Sequence, residues 1–235
     1  MKKEKGFTLI ELLAVIIILG ILMMVAIPAV TTYINSSRKS AYIDNVKQFI
    51  SAASTAVTSG GKIEFYDEEA LLMVPVGVDD AKSIVKLEKG GQSPYSSTYY
   101  FAYVGIVYDG ENYDYYFTAV DNAGQGLAMS KLKDIEKKGG GEALIQTGLK
   151  SASKLAYTKT LQSWYKSATP QKFTSLSTAP TGFTTCPAGV CTATGELKPL
   201  IDPAGGSSKI KYILVCGYKD GAASCPQVDD SSSDD

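Results

Sequence analysis

Apolar and polar positions are distributed very unevenly along this chain. From Phe7 to Val30 (FTLIELLAVIIILGILMMVAIPAV) nearly every residue is apolar, and the only charge is Glu11. A run of this length spans a hydrocarbon core of roughly 30 Å as a helix. Beyond Val30 the pattern changes to one apolar stripe, with Tyr33, Ile34, Ala41, Val46, Phe49, Ile50, Ala53 and Val57 at helical spacing and polar residues between them. That periodicity predicts an amphipathic helix over 31–59, stopped by Gly60–Gly61. One helix from Phe7 to about Ser59 would be roughly 80 Å long at ~1.5 Å per residue. Its first half is apolar on all sides, suited to lipid or to other copies of itself. Its second half is built to pack on a folded head.

The remainder reads as an α+β head over residues 60–226. Lys62–Tyr66 suits the start of a short strand, Ala70–Val78 is a further apolar segment, and Asp79–Glu88 suits a helix closed by Gly90–Gly91. The clearest β signal is Ser97–Tyr108, a turn at Asp109–Asn112, then Tyr113–Val120, dense in Tyr, Phe and Val. Its aromatic residues read as ordinary cross-strand packing. Asp121–Gly126 is expected as a loop, Ser130 as the cap of a short helix Lys131–Lys138 stopped by Gly139–Gly141, and Leu144–Lys166 as partly helical. Ile210–Cys216 suits a late strand, and the acidic, serine-rich segment 227–235 a disordered tail.

A basic leader, residues 1–6, carries Lys2, Lys3 and Lys5. Basic residues before an apolar span keep the leader in the cytoplasm and send the bulk of the chain outward. The apolar run exceeds the roughly 7–15 residues of a secretory signal, and no A-x-A-like cleavage site follows it. Neither a secretory signal nor a plain anchor explains Glu11, because an acid in a membrane segment is costly and marks function. A cut between Gly6 and Phe7 would supply its partner. The new α-amine of Phe7 and the carboxylate of Glu11 lie at i and i+4, on one helix face. The amine can come from the same chain or from a neighbouring copy, in which case the pair sets the register of stacked helices. Gly20 and Pro28 weaken the middle of the run, so a kink or local melting is expected there.

The segment KGFTLIELL, with Gly6, Phe7, Thr8, Leu9, Glu11, Gly20 and Pro28, resembles type IV prepilins and pseudopilins. The resemblance implies a long N-terminal helix packed on an antiparallel-sheet head. It also implies cleavage after Gly6 by a membrane prepilin peptidase that N-methylates Phe7, and a role for Glu11 in methylation and docking. The implied partners are other copies of the chain, other pilins, the lipid bilayer before assembly, and a membrane assembly platform driven by a separate ATPase. The expected location is the cytoplasmic membrane, single-pass with the head outside, and then a surface filament.

Composition narrows the function further. The 235 residues carry a net charge of −1 and no histidine. Without a basic excess there is no sign of a dedicated nucleic-acid surface, unless the chain is a competence pseudopilin. Without histidine there is no His-based acid–base chemistry or metal ligation. Phosphate-loop, zinc-protease and nucleophile-elbow motifs are missing, so no enzyme activity, cofactor or metal is expected. Cys186, Cys191, Cys216 and Cys225 form an even set in an exported head, which favours disulfides and leaves three connectivities open. Cys186–Cys191 with Cys216–Cys225 is the preferred pairing. The functional expectation is a filament subunit. The alternatives are a pseudopilin of a secretion or DNA-uptake machine, a minor pilin with an adhesive head, and a membrane-anchored exported binding protein or enzyme.

Overall fold

In the computed structural model the described residues are 6–59, 63, 65–77, 85, 87, 90–149, 171–173, 212–219 and 222–224. The chain divides into two units, Met1–Ser40 and Ala41–Asp235. One helix, α1 (Leu9–Thr58), passes through both.

In the first unit the apolar side chains of α1 are exposed, from Leu9 through Leu13, Ile18 and Met24 to Val30. This helix is long and apolar enough to cross a membrane. It runs without a break through Gly20 and Pro28, so the local melting expected there is not seen. Proline costs a helix one N–H and a steric clash with the preceding turn, and the other turns of α1 hold the geometry. Thr31 and Thr32 add local bonds just beyond it. The Thr31 hydroxyl donates to the carbonyls of Ile27 (3.1 Å) and Pro28 (2.9 Å), and the Thr32 hydroxyl donates to Pro28 (2.9 Å).

In the second unit α1 acquires a buried face at Tyr42, Ile43, Val46, Phe49, Ile50, Ala53, Ala56 and Val57. The spacing is that of one core-facing stripe. The stripe expected from sequence began too early. Tyr33, Ile34 and Ala41 are exposed, whereas Tyr42, Ile43 and Ala56 are core. Periodicity identifies a face, but not where along the helix a sheet begins to cover it.

The sheet has seven strands in the order β5-β4-β3-β2-β1-β7-β6, where β1 is Ala70–Pro75, β2 Tyr99–Tyr108, β3 Tyr113–Asp121, β4 Gly126–Lys131, β5 Ile145–Gln146, β6 Gln171–Phe173 and β7 Tyr212–Val215. A separate ribbon pairs β8 (Gly217–Lys219) with β9 (Ala222–Ser224). All pairs in the large sheet are antiparallel except β1–β7, which run parallel with Ala70 opposite Tyr212 and Met73 opposite Val215. The expectation of an antiparallel sheet is therefore corrected at this pair. The long connection between β1 and β7 lets the late strand return in the same direction.

The β2–β3 hairpin forms where expected. Its turn is closed by Asp109, whose carboxylate accepts from the backbone N–H of Glu111 (3.0 Å) and Asn112 (2.7 Å). Gly110 supplies the positive φ of 104° that an L side chain resists. Side chains alternate across the strands. Leu72, Val74, Ala102, Val104, Phe117 and Ala119 share one core with the buried face of α1. Phe49 lies at its centre, stacked on Phe117 at 6.0 Å and edge-on to Tyr99 at 6.1 Å. The intervening residues Leu71, Met73, Phe101 and Tyr103 are also fully buried. Most of the hairpin aromatics are thus ordinary core. Tyr66, Tyr108, Tyr113 and Tyr115 form a partly exposed row near the turn.

After the hairpin several sequence expectations fail. Gly126–Lys131 is a strand, and Ser130 caps nothing: its hydroxyl donates to the Ala128 carbonyl at 2.8 Å. Helix α2 (Leu132–Glu136) follows from Lys131, which has no side-chain cap. Gly139 ends that stretch with a φ of 70°, but Gly140 opens a further turn, α3 (Gly140–Leu144). Pairing with β3 overrides weak local signals here. Lys131 also reaches Asp114 across the strands at 2.8 Å. The close approach of β3 fixes Gly126, since a Cβ there would lie 2.1 Å from the Ala119 carbonyl oxygen. Ile63, Phe65 and Tyr66 are not in a strand. The expected helix Asp79–Glu88 lies outside the described residues except for Val85 and Leu87, which are not helical. Leu144 closes α3 and Ile145–Gln146 is a strand, whereas the rest of the expected helix to Lys166 beyond Leu149, and the acidic tail, lie outside the described residues.

At the far end of β3 a buried acid joins three parts of the head. Asp121 is fully buried. Its carboxylate accepts from the Ser93 hydroxyl and from the Gln125 N–H (2.9 Å). Asn45 of α1 donates to the Gln92 carbonyl beside it at 2.7 Å. The hydroxyls of Tyr42 and Tyr99 are buried in the same region. Desolvation, reinforced by neighbouring charge, holds both phenols above their usual titration range.

Candidate functional site: the N-terminus of the long helix

The residues singled out in the sequence cluster at the start of α1. Gly6 and Phe7 precede the helix and are exposed, Phe7 at 88%. A Cβ built on Gly6 would meet nothing within 4 Å. The Gly6–Phe7 peptide bond therefore lies in exposed, non-helical backbone before the helix starts.

The helix begins at Leu9 because Thr8 caps it. The Thr8 backbone N–H and hydroxyl each donate to Glu11 Oε2 at 2.8 Å, and the Glu11 N–H reaches back to the Thr8 hydroxyl at 3.4 Å. This is a reciprocal capping box, in which residues at the N-cap and N3 positions satisfy each other's backbone donors. A carboxylate in the first turn also sits favourably against the positive end of the helix dipole. Sequence reasoning paired Glu11 only with the amine at position 7 and missed Thr8. The signal was present, since Thr8-Leu9-Ile10-Glu11 is a T-x-x-E pattern directly before an apolar run.

The geometry has a chemical consequence. Both bonds from Thr8 converge on one carboxylate oxygen, Oε2. A carboxylate offers about four lone-pair positions, so Oε1 can accept a further donor without breaking the cap. The cap also lies wholly C-terminal to the Gly6–Phe7 bond, so removing residues 1–6 leaves the helix start intact.

Among the other sequence-predicted residues, Gly20 faces open space and Pro28 lies within the continuous helix. Cys216, directly after β7, is disulfide-bonded. Cys186, Cys191 and Cys225 lie outside the described residues, so the pairing stays open. Among the described residues no cluster of His, Cys, Asp or Glu is arranged to hold a metal ion.

A capped, exposed, membrane-length helix with one acid in its first turn, followed by a sheet head, makes this an α+β chain in keeping with the resemblance of its N-terminus to type IV prepilins. Comparison with known proteins agrees. Residues 1–27 match the prokaryotic N-terminal methylation motif. The chain is similar to a fimbrial protein of Pseudomonas aeruginosa, 40% identical over 63 residues, covering 27% of this chain and 41% of that protein. It is similar to the type IV major fimbrial protein FimA of Dichelobacter nodosus, 41% identical over 61 residues (26% and 38%). It is also similar to the type IV major alpha-pilin of Moraxella bovis, 41% identical over 73 residues (30% and 43%). The matched region spans about two fifths of the length of these curated relatives. No solved structure matches the chain.

Proposed function

We propose that this chain is a structural subunit of a type IV pilus or a related filament. A prepilin peptidase cuts it between Gly6 and Phe7 and methylates the new terminus. The apolar half of α1 holds it in the cytoplasmic membrane until extraction. A membrane platform powered by a separate ATPase then adds it to a helical, head-to-tail assembly. Such an assembly does not close on itself and can grow. The chain has no enzymatic part in this scheme.

One observation carries the reading above the others: an uncovered apolar helix whose only early charge is held at its first turn by Thr8. A long apolar surface needs either lipid or identical neighbours. Glu11 supplies the docking charge, with Oε2 kept on its own cap and Oε1 turned to the Phe7 amine of a neighbour. Relatives named as fimbrial proteins and pilins favour a pilus over a secretion or DNA-uptake pseudopilus. The test is Glu11→Ala. The variant should remain membrane-bound and cleavable yet enter filaments poorly, and incorporation at the wild-type level would refute the docking role.

A further inference from the structure

Between Glu11 and Arg38 the chain carries no charge, an interval of about 39 Å of helix at ~1.5 Å per residue. A hydrocarbon core is only roughly 30 Å thick. The bilayer can therefore take more than one position along α1, and the apolar run Phe7–Val30 is one choice among several. That choice places the Glu11 carboxylate about four residues inside the hydrocarbon while leaving Tyr33 and Ile34 beyond it.

Three features of α1 favour a register further along. Glu11 is tied to Thr8 at the first turn of the helix, where a polar cap belongs at a water boundary. At the other end, Thr31 and Thr32 look polar in sequence, but their hydroxyls donate to the carbonyls of Ile27 and Pro28 in the same helix. A hydroxyl satisfied within its own helix enters hydrocarbon without an orphaned donor. Tyr33 then presents an exposed ring (74%) one residue before Ile34, and the strongly polar sequence Asn35-Ser36-Ser37-Arg38-Lys39 follows. Tyrosine of this kind marks the membrane–water interface.

We propose that the lipid-embedded part of α1 runs from Leu12 to about Ile34, with Glu11 at the cytoplasmic headgroup boundary and Tyr33 in the last embedded turn, beside the outer interfacial belt. The inference rests on the membrane-anchored reading above and refines it. The segment is about 34 Å long, which fits a core of ~30 Å with a tilt of about 30°, inside the usual range for single helices. In this register the Gly6–Phe7 bond lies outside the hydrocarbon, on the side of the leader.

The experiment places single cysteines at Val30, Ile34 and Ser37 in the full chain, reconstituted in phosphatidylcholine nanodiscs open on both faces. Each is treated with a charged maleimide, and labelling is read by peptide mass so that the native cysteines do not interfere. The proposal predicts that Val30→Cys and Ile34→Cys label at least about tenfold more slowly than Ser37→Cys, because a thiol in hydrocarbon meets neither water nor reagent. Protection at position 30 alone, with position 34 labelling like 37, overturns this register and leaves the membrane anchor standing. Protection at all three positions also overturns it, by moving the boundary beyond Ser37. Equal, fast labelling at all three contradicts membrane insertion itself.

Discussion

The two halves of α1 share one backbone geometry and face different surroundings. Up to Val30 every large apolar side chain is exposed; from Tyr42 one face is buried to a few per cent. One carboxylate accompanies each half, Glu11 within α1 and Asp121 at the end of β3. Glu11 is exposed and satisfied within its own helix turn by Thr8. Asp121, packed near the second half, is buried and satisfied partly by a distant segment, through Ser93, and partly by its own turn, through Gln125. The first half is specified locally, by its own helical bonds and the Thr8 cap. The second half depends on the sheet for its burial.

Mutations can separate the halves. The largest expected effect is Phe49→Ala. Its ring is fully buried between Tyr99 and Phe117, and truncation should cost the head about 3–5 kcal/mol. Denaturant unfolding of the full chain in detergent measures this. Leu19→Ala, in the exposed half, should leave the same midpoint almost unchanged, and equal losses would erase the distinction. Asp121→Ala ranks next. It strands the Ser93 hydroxyl and the Gln125 N–H, each with a cost of ~1–3 kcal/mol, while cleavage after Gly6 should proceed normally. Thr8→Val should cost only about 1 kcal/mol. That loss should appear as faster amide exchange in the first turns of α1, with no change in the head.

Alkaline pH provides a fourth test. Burial raises Tyr42 and Tyr99 above the ordinary tyrosine value near 10. A raised folded value means that the folded state holds these protons more tightly. The associated stability is complete below about pH 10 and is lost as pH rises toward the folded values. The head should thus weaken above about pH 10, and Tyr42→Phe should flatten that decline. A variant as alkali-sensitive as the wild type would remove Tyr42 from the explanation.

Legibility in the sequence follows the same division. The helix, its leader and its single acid were readable because a long apolar run with a charge at one place admits few explanations. The β2–β3 hairpin was readable because both strands and their turn are contiguous. The Thr8 cap was equally local and was overlooked only because the amine offered a competing partner. Strand β4 was obscured by Ser130 and a lysine-rich segment that look like a helix start until β3 pairs with them. The parallel β1–β7 pair joins residues some 140 positions apart, and nothing local encodes that pairing. The onset of the buried stripe at Tyr42 rather than Tyr33 depends on where the sheet lies, which helical spacing does not carry.

The central claim is that the chain is cut at Gly6–Phe7 and built into a filament through the exposed half of α1. The most direct measurement is the intact mass and N-terminal sequence of this protein in filaments sheared from cells. A terminus at N-methylated Phe7, abundant in the sheared fraction, is the predicted result. A protein that retains Met1, or that is cut at Phe7 but never leaves the membrane, would contradict the account.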